Sequence, residues 1–123
     1  MFNKILIALI ALEHMGFLIL EMFLWQTPIG LKVFKLTPEV AASSASLAAK
    51  QGLYNGFLAA GLMWGLTQKN KEFSFMINLF FLSCVFIAGL YGWFTVSKTI
   101  LFVQAIPAAL TLGLLFKDKR KYK

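Results

Sequence analysis

Four continuously apolar runs, at residues 5–25, 47–66, 73–93 and 96–116, constrain this chain more than any other feature of it. Each is close to the roughly 20 residues that an α-helix needs to cross a bilayer. They lack the strict alternation of barrel strands, so helices are expected. With 59% of its 123 residues hydrophobic and a mean hydropathy of +0.76, the chain carries more apolar surface than a small soluble fold buries. The expected fold is all-α: an integral membrane four-helix bundle forming one domain over residues 1–123, with lipid as its solvent. Lys4 and the apolar residues 5–12 resemble a signal peptide, but Glu13 and His14 interrupt the run, which resumes to Trp25. No small-x-small cleavage site follows, and a retained first span is expected.

The formal charge of +7 does not point to nucleic acid, because the basic residues are not interleaved with aromatics. Lys117, Lys119, Arg120, Lys121 and Lys123 instead follow an apolar run directly, as in tails held by anionic inner-leaflet lipid. A single cysteine, Cys84, excludes an internal disulfide, and no spaced Cys/His set suggests a metal. No cofactor is expected. Basic residues also set the orientation. Lys4, Lys69, Lys71 and the five tail residues make eight on the side of the termini, against four (Lys32, Lys35, Lys50, Lys98) on the other. Both termini are therefore expected in the cytoplasm. Trp25 and Trp93 then fall at the outer interface and Trp64 near the inner one.

The connector at 67–72 reads as a tight polar hairpin loop, and the outer connection at 26–46 is longer. In it, Ile29, Leu31, Val33, Phe34 and Leu36, with Lys32 and Lys35, suit a segment resting on the outer interface. Thr37-Pro38-Glu39 is a helix-start signal: a capping hydroxyl, proline at the first helical position, and a carboxylate facing the helix dipole. The second helix begins either there or near Leu47. A helix over 38–66 would be ~44 Å long against a hydrocarbon core of ~30 Å, so it would project outward or bend onto the membrane.

Ionisable groups inside a membrane helix are costly and point to function. The first span has Glu13, His14 and Glu21; at ~100° per residue His14 and Glu21 share a face, with Glu13 on its flank. The second contributes Gln51, Tyr54 and Asn55, the third Asn78, Ser83 and Tyr91, and the fourth Lys98 and Gln104. A rise of ~1.5 Å per residue places Glu21 level with Gln51, and Asn55 level with Gln104. A polar pocket open to the outer side is expected, with Glu13, His14, Glu21, Gln51, Tyr54, Asn55, Tyr91 and Gln104 as its ligand-binding lining. The competing reading makes the amides interhelical glue, worth ~0.6 kcal/mol each. Gly52, Gly56, Gly61 and Gly65 let the second helix approach its neighbours closely. Pro107 is expected to kink the fourth helix beside Gln104.

Glu13-His14, Leu20-Glu21-Met22-Phe23 with Trp25, Thr27-Pro28, Gly30 and Lys32-Val33-Phe34 resemble the opening of a bacterial family of small predicted membrane proteins, catalogued as a domain of unknown function. The block from Gln51-Gly52-Leu53-Tyr54-Asn55-Gly56 through Gly61 is similar to the most recognisable part of that family. Ala88-Gly89-Leu90-Tyr91-Gly92, Val103-Gln104-Ala105 and Pro107-Ala108 extend the likeness over nearly the whole chain. The resemblance implies four spans in a bacterial cytoplasmic membrane and no established catalytic residue.

Four functions compete. The leading expectation is binding or transport of a small or amphipathic molecule. A membrane-embedded enzyme using Glu/His acid–base chemistry on a lipid-like substrate is the alternative, although no nucleophile–base–orienter set is evident. A small proton-coupled exporter and a structural or assembly subunit, whose polar groups lock helices together, complete the set; the glycine-rich helix faces would permit a homodimer.

Overall fold

The computed structural model describes residues 1–123 and is entirely helical. In order it has α1 (Phe2–Met22), α2 (Pro28–Phe34), α3 (Pro38–Thr67), α4 (Lys71–Thr95) and α5 (Ile106–Lys117). A π-helical turn, Leu101–Ala105, leads into α5, and a 3-10 turn, Lys119–Tyr122, follows it. There are thus five α-helices, not the expected four. The addition is α2, and its cause is local. The Thr27 hydroxyl accepts the Gly30 N–H, Pro28 holds the first helical position, and Lys35 closes the helix in the left-handed region at φ 53°. The Thr-Pro signal recognised at 37–38 works equally at 27–28. A Cβ at Gly30 would fall on the carbonyl oxygens of Leu24 and Trp25, so glycine lets α2 fold back on the end of α1.

Two helices, α1 and α4, are long and apolar enough to cross a membrane. The second apolar run lies within α3, a helix of 30 residues that starts at Pro38 with Thr37 accepting the Val40 N–H. Of the two starts left open, the earlier one holds, and α3 runs uninterrupted for ~45 Å. The fourth run starts later than expected. Val96 and Ser97 both return their N–H groups to the Gly92 carbonyl, ending α4, and helix resumes only at Thr99. The irregularity expected at Pro107 takes the form of the π turn. Proline has no N–H and its ring excludes the carbonyl four residues back, so the turn widens there and Ile106 N–H bonds to Leu101.

The exposed face of α1 is apolar, unlike that of a helix in water, and its buried stripe mixes polar with apolar groups. Its buried stripe carries Asn3, His14 and Glu21 among Ile7, Ile10 and Ala11, whereas Ile5, Leu9, Leu12, Met15 and Ile19 are exposed. On α4, Ser74 and Asn78 are buried among Phe75, Ile77, Leu82 and Val85, while Met76, Phe80 and Ile87 are exposed.

The chain divides into two compact units, Leu12–Ala59 and Met1–Ala11 with Ala60–Lys123. In the first, Trp25 donates to the Ser44 hydroxyl at 3.1 Å and stacks on Phe34 at 4.6 Å, joining α2 to α3. In the second, α3 meets α4 at Gly61, under the Phe81 ring, and at Gly65, under the Asn78 amide. The Ser74 hydroxyl donates to the Gly65 carbonyl at 2.6 Å. Gly89 and Gly92 receive Ala105 and Ile100, which seats the π turn on α4.

The basic tail is not a free polycation. Tyr122, only 8% exposed, accepts a hydrogen bond at 2.9 Å from the amide of Asn3, itself 3% exposed, and packs on Phe75. Burial holds the Tyr122 hydroxyl above its ordinary range, against the opposing hydrogen bond from Asn3. The neutral phenol is therefore favoured in the folded chain. Its contribution to stability is complete below the ordinary value of 10.0 and is lost as pH rises through the raised one. Between 10.0 and the raised value the melting temperature is expected to fall more steeply in the native chain than in Tyr122→Phe, as followed by thermal unfolding across alkaline pH.

Candidate functional site

In the Leu12–Ala59 unit, Glu21 and Asn55 come together where the last turn of α1 meets the middle of α3. Two glycines make that approach possible. A Cβ at Gly52 would stand 2.8 Å from the Met22 side chain and 3.0 Å from Cβ of Glu21, and one at Gly56 would strike Leu18. Between these glycines in sequence, Asn55 donates its amide to Oε1 of Glu21 at 2.7 Å. The pair is 7% and 9% exposed. A carboxyl buried in an apolar helix contact with one amide bond is expensive, and such a group is normally retained to hold a proton, a cation or a polar ligand.

His14 is fully buried two turns before Glu21, with its ring edge-on to Phe17 at 5.5 Å. Glu13 is partly buried on the adjoining face. The shared face expected for His14 and Glu21 is thus the buried face of α1. The partner expected for Glu21 was Gln51, and here the structure differs. Gln51 is exposed, as is Tyr54. The buried stripe of α3 runs through Ala48, Gly52, Asn55 and Ala59, and Gln51 stands on its flank. Equal depth put Gln51 beside Glu21, but helix rotation decided for Asn55.

The two remaining expected residues belong to the other unit. Tyr91 is 71% exposed on α4. Gln104 is partly buried in the π turn and donates to the Val85 carbonyl at 3.4 Å, within its own unit. That contact ties helix to helix, as the glue reading held for the amides. Reading the sequence missed the buried Asn3–Tyr122 pair and the Trp25–Ser44 bond. An asparagine just before an apolar run and a lone tyrosine in a lysine tail were the available signals. The surface clefts of the Met1–Ala11 and Ala60–Lys123 unit lie against Tyr122, and neither is lined by Glu21 or Asn55.

These features define a small all-helical protein with polar side chains among its buried residues, apolar exposed faces on α1 and α4, and an acid–amide pair between two helices. The chain belongs to the family described as Protein of unknown function (DUF1304), whose profile matches residues 8–116. It is 30% identical over 110 residues to the Uncharacterized protein YpaA of Lactococcus lactis subsp. lactis (strain IL1403), covering 88% of this chain and 91% of that protein. No solved structure matches the chain. The matched segment includes Glu21, Asn55, His14 and Glu13, and leaves out Asn3 and Tyr122.

Proposed function

We propose that this chain is a multi-pass membrane protein whose buried Glu21–Asn55 pair, with His14 and Glu13, is the polar core of a binding site for a small or amphipathic molecule. The observation that carries the membrane reading is the apolar exposed face of α1 and α4, with polar side chains among the residues buried beneath it. Lipid is the solvent in which that arrangement is stable. The spans are α1, the apolar part of α3, α4 and the helix through α5; α2 is too short and lies at the outer interface. Both termini are cytoplasmic, so the end of α1 that carries Glu21 lies toward the outer side, and the site opens there.

A second reading is supported by the second unit, where Gln104 and Ser74 are spent on helix-to-helix hydrogen bonds and Asn78 bonds to Ser74 within α4. There the polar groups serve assembly, and the chain would be a structural subunit. Glu21→Gln separates the two, because it keeps shape and most hydrogen bonding while removing the charge. If the site binds amphipathic cations, Glu21→Gln loses at least tenfold in affinity for a lipophilic quaternary amine, measured by equilibrium dialysis in detergent, at unchanged melting temperature. Unchanged affinity, or no binding by the native chain, would favour the structural reading. Topology has its own check. A reporter active only in the cytoplasm should work after Lys123 or near Asn70 and fail near Lys35; the opposite pattern inverts the site.

A further inference from the structure

A second site lies in the unit formed by Met1–Ala11 and Ala60–Lys123. A cleft of about 200 Å³ opens where the start of α1, the start of α4 and the 3-10 turn meet. Its lining includes Asn3, Lys4, Lys71, Asp118, Lys121 and Tyr122. Three ammonium groups face one carboxylate, and that carboxylate is already committed to Lys121 at 2.8 Å. Lys4 and Lys71 have no acidic partner within ion-pair distance, so the cleft retains an excess of positive charge.

The floor is built from buried groups. Asn3 and Tyr122 are both more than nine-tenths buried and bonded to each other, and the Asn3 carbonyl oxygen accepts the Lys4 N–H at 2.8 Å. Phe75 backs Tyr122, with Lys119 over its ring at 5.8 Å. The lysines are thus carried on three helical segments, two joined by the buried Asn3–Tyr122 bond and the third, α4, by the packing of Phe75 on Tyr122. Two of those segments are the ends of the helices apolar enough to cross a membrane. A compact anion at this depth satisfies several ammonium groups at once, and lysine engages phosphate as a point charge.

We infer that this cleft binds a phosphate group carrying net negative charge, of the kind presented by an anionic phospholipid headgroup or by free phosphate. Lys4, Lys71 and Lys121 neutralise the charge, and the Asn3–Tyr122 bond, with Phe75 packed on Tyr122, holds the three around it. The site shares no residue with the Glu21–Asn55 pair, and only the assignment of its phosphate to the inner leaflet rests on the membrane reading.

The test is thermal unfolding of the purified chain in nonionic detergent with added phosphatidylglycerol, phosphatidylcholine or inorganic phosphate. The variants are K4Q/K71Q and, removing equal charge outside the cleft, K32Q/K35Q. Both residues changed in the first are exposed and unpaired, so it should fold as the native chain does. Saturating phosphatidylglycerol is expected to raise the melting temperature of the native chain and of K32Q/K35Q by at least ~3 °C. Phosphatidylcholine, whose choline cancels the phosphate charge, should have little effect, and K4Q/K71Q should lose most of the shift. An equal shift with inorganic phosphate, lost in the same variant, supports the site with a soluble ligand. Equal stabilisation of K4Q/K71Q and the native chain overturns the proposal, and so does a native chain that neither anion stabilises. Reporters in the inverted pattern, with the K4Q/K71Q loss intact, overturn the membrane orientation and leave the cleft standing.

Discussion

Gly89→Ala is expected to destabilise the chain by about 2–3 kcal/mol in spite of alanine's better helix propensity. A Cβ at position 89 would lie 2.8 Å from the backbone nitrogen of Ala105, 2.9 Å from its Cα and 3.0 Å from its Cβ. None of those atoms can swing away by changing a rotamer. The π turn would have to withdraw from α4, weakening the Gln104 contact with the Val85 carbonyl and the fit of Ile100 on Gly92. Propensity alone would make the substitution favourable by ~1 kcal/mol, so the contact has to outweigh that gain. Gly16→Ala and Gly113→Ala isolate the propensity effect, because nothing lies within 4 Å of a Cβ at either position. Both are expected to be neutral or stabilising by up to ~1 kcal/mol. Chemical unfolding of the three variants in detergent measures the difference. If Gly89→Ala behaves like Gly113→Ala, α4 and the π turn are not in contact.

Glu21 and Asn55 are expected to be coupled, and the sizes of the effects are informative. Asn55→Leu strands a buried carboxyl and Glu21→Leu strands a buried amide, each at a cost of about 1–3 kcal/mol. The double variant is expected to cost less than the sum, with a coupling of ~0.6–1.7 kcal/mol, the range seen for interhelical bonds in membrane bundles. Gln51→Leu, at an exposed position one turn away, should change stability by no more than ~0.5 kcal/mol. Additive single effects would mean that the hydrogen bond contributes little and that each residue acts through its own surroundings. An effect of Gln51→Leu equal to that of Asn55→Leu would restore the pairing suggested by depth alone.

What the sequence determined by itself was local. The apolar runs, the Thr-Pro signal at 37–38 and the polar hairpin before α4 could be read because apolar continuity and capping act over neighbouring residues, but the choice between a start at Pro38 and one near Leu47 fell to the fold. The buried face of α1, with His14 and Glu21 on it, followed from helical periodicity. Depth along a helix was also legible, since rise per residue is constant. Depth left Gln51 and Asn55 as neighbours, one turn apart on α3, and only tertiary packing separated them. Which of two such amides meets a carboxyl depends on the rotation of one helix against another, set here by the seating of Gly52 and Gly56 on Leu18, Glu21 and Met22. The wedging of Tyr122 between Asn3 and Phe75 was equally out of reach, because it joins residues 119 positions apart. Periodicity and capping specify what each helix is, whereas the rotation and contact of helices depend on side chains that only the folded chain brings together.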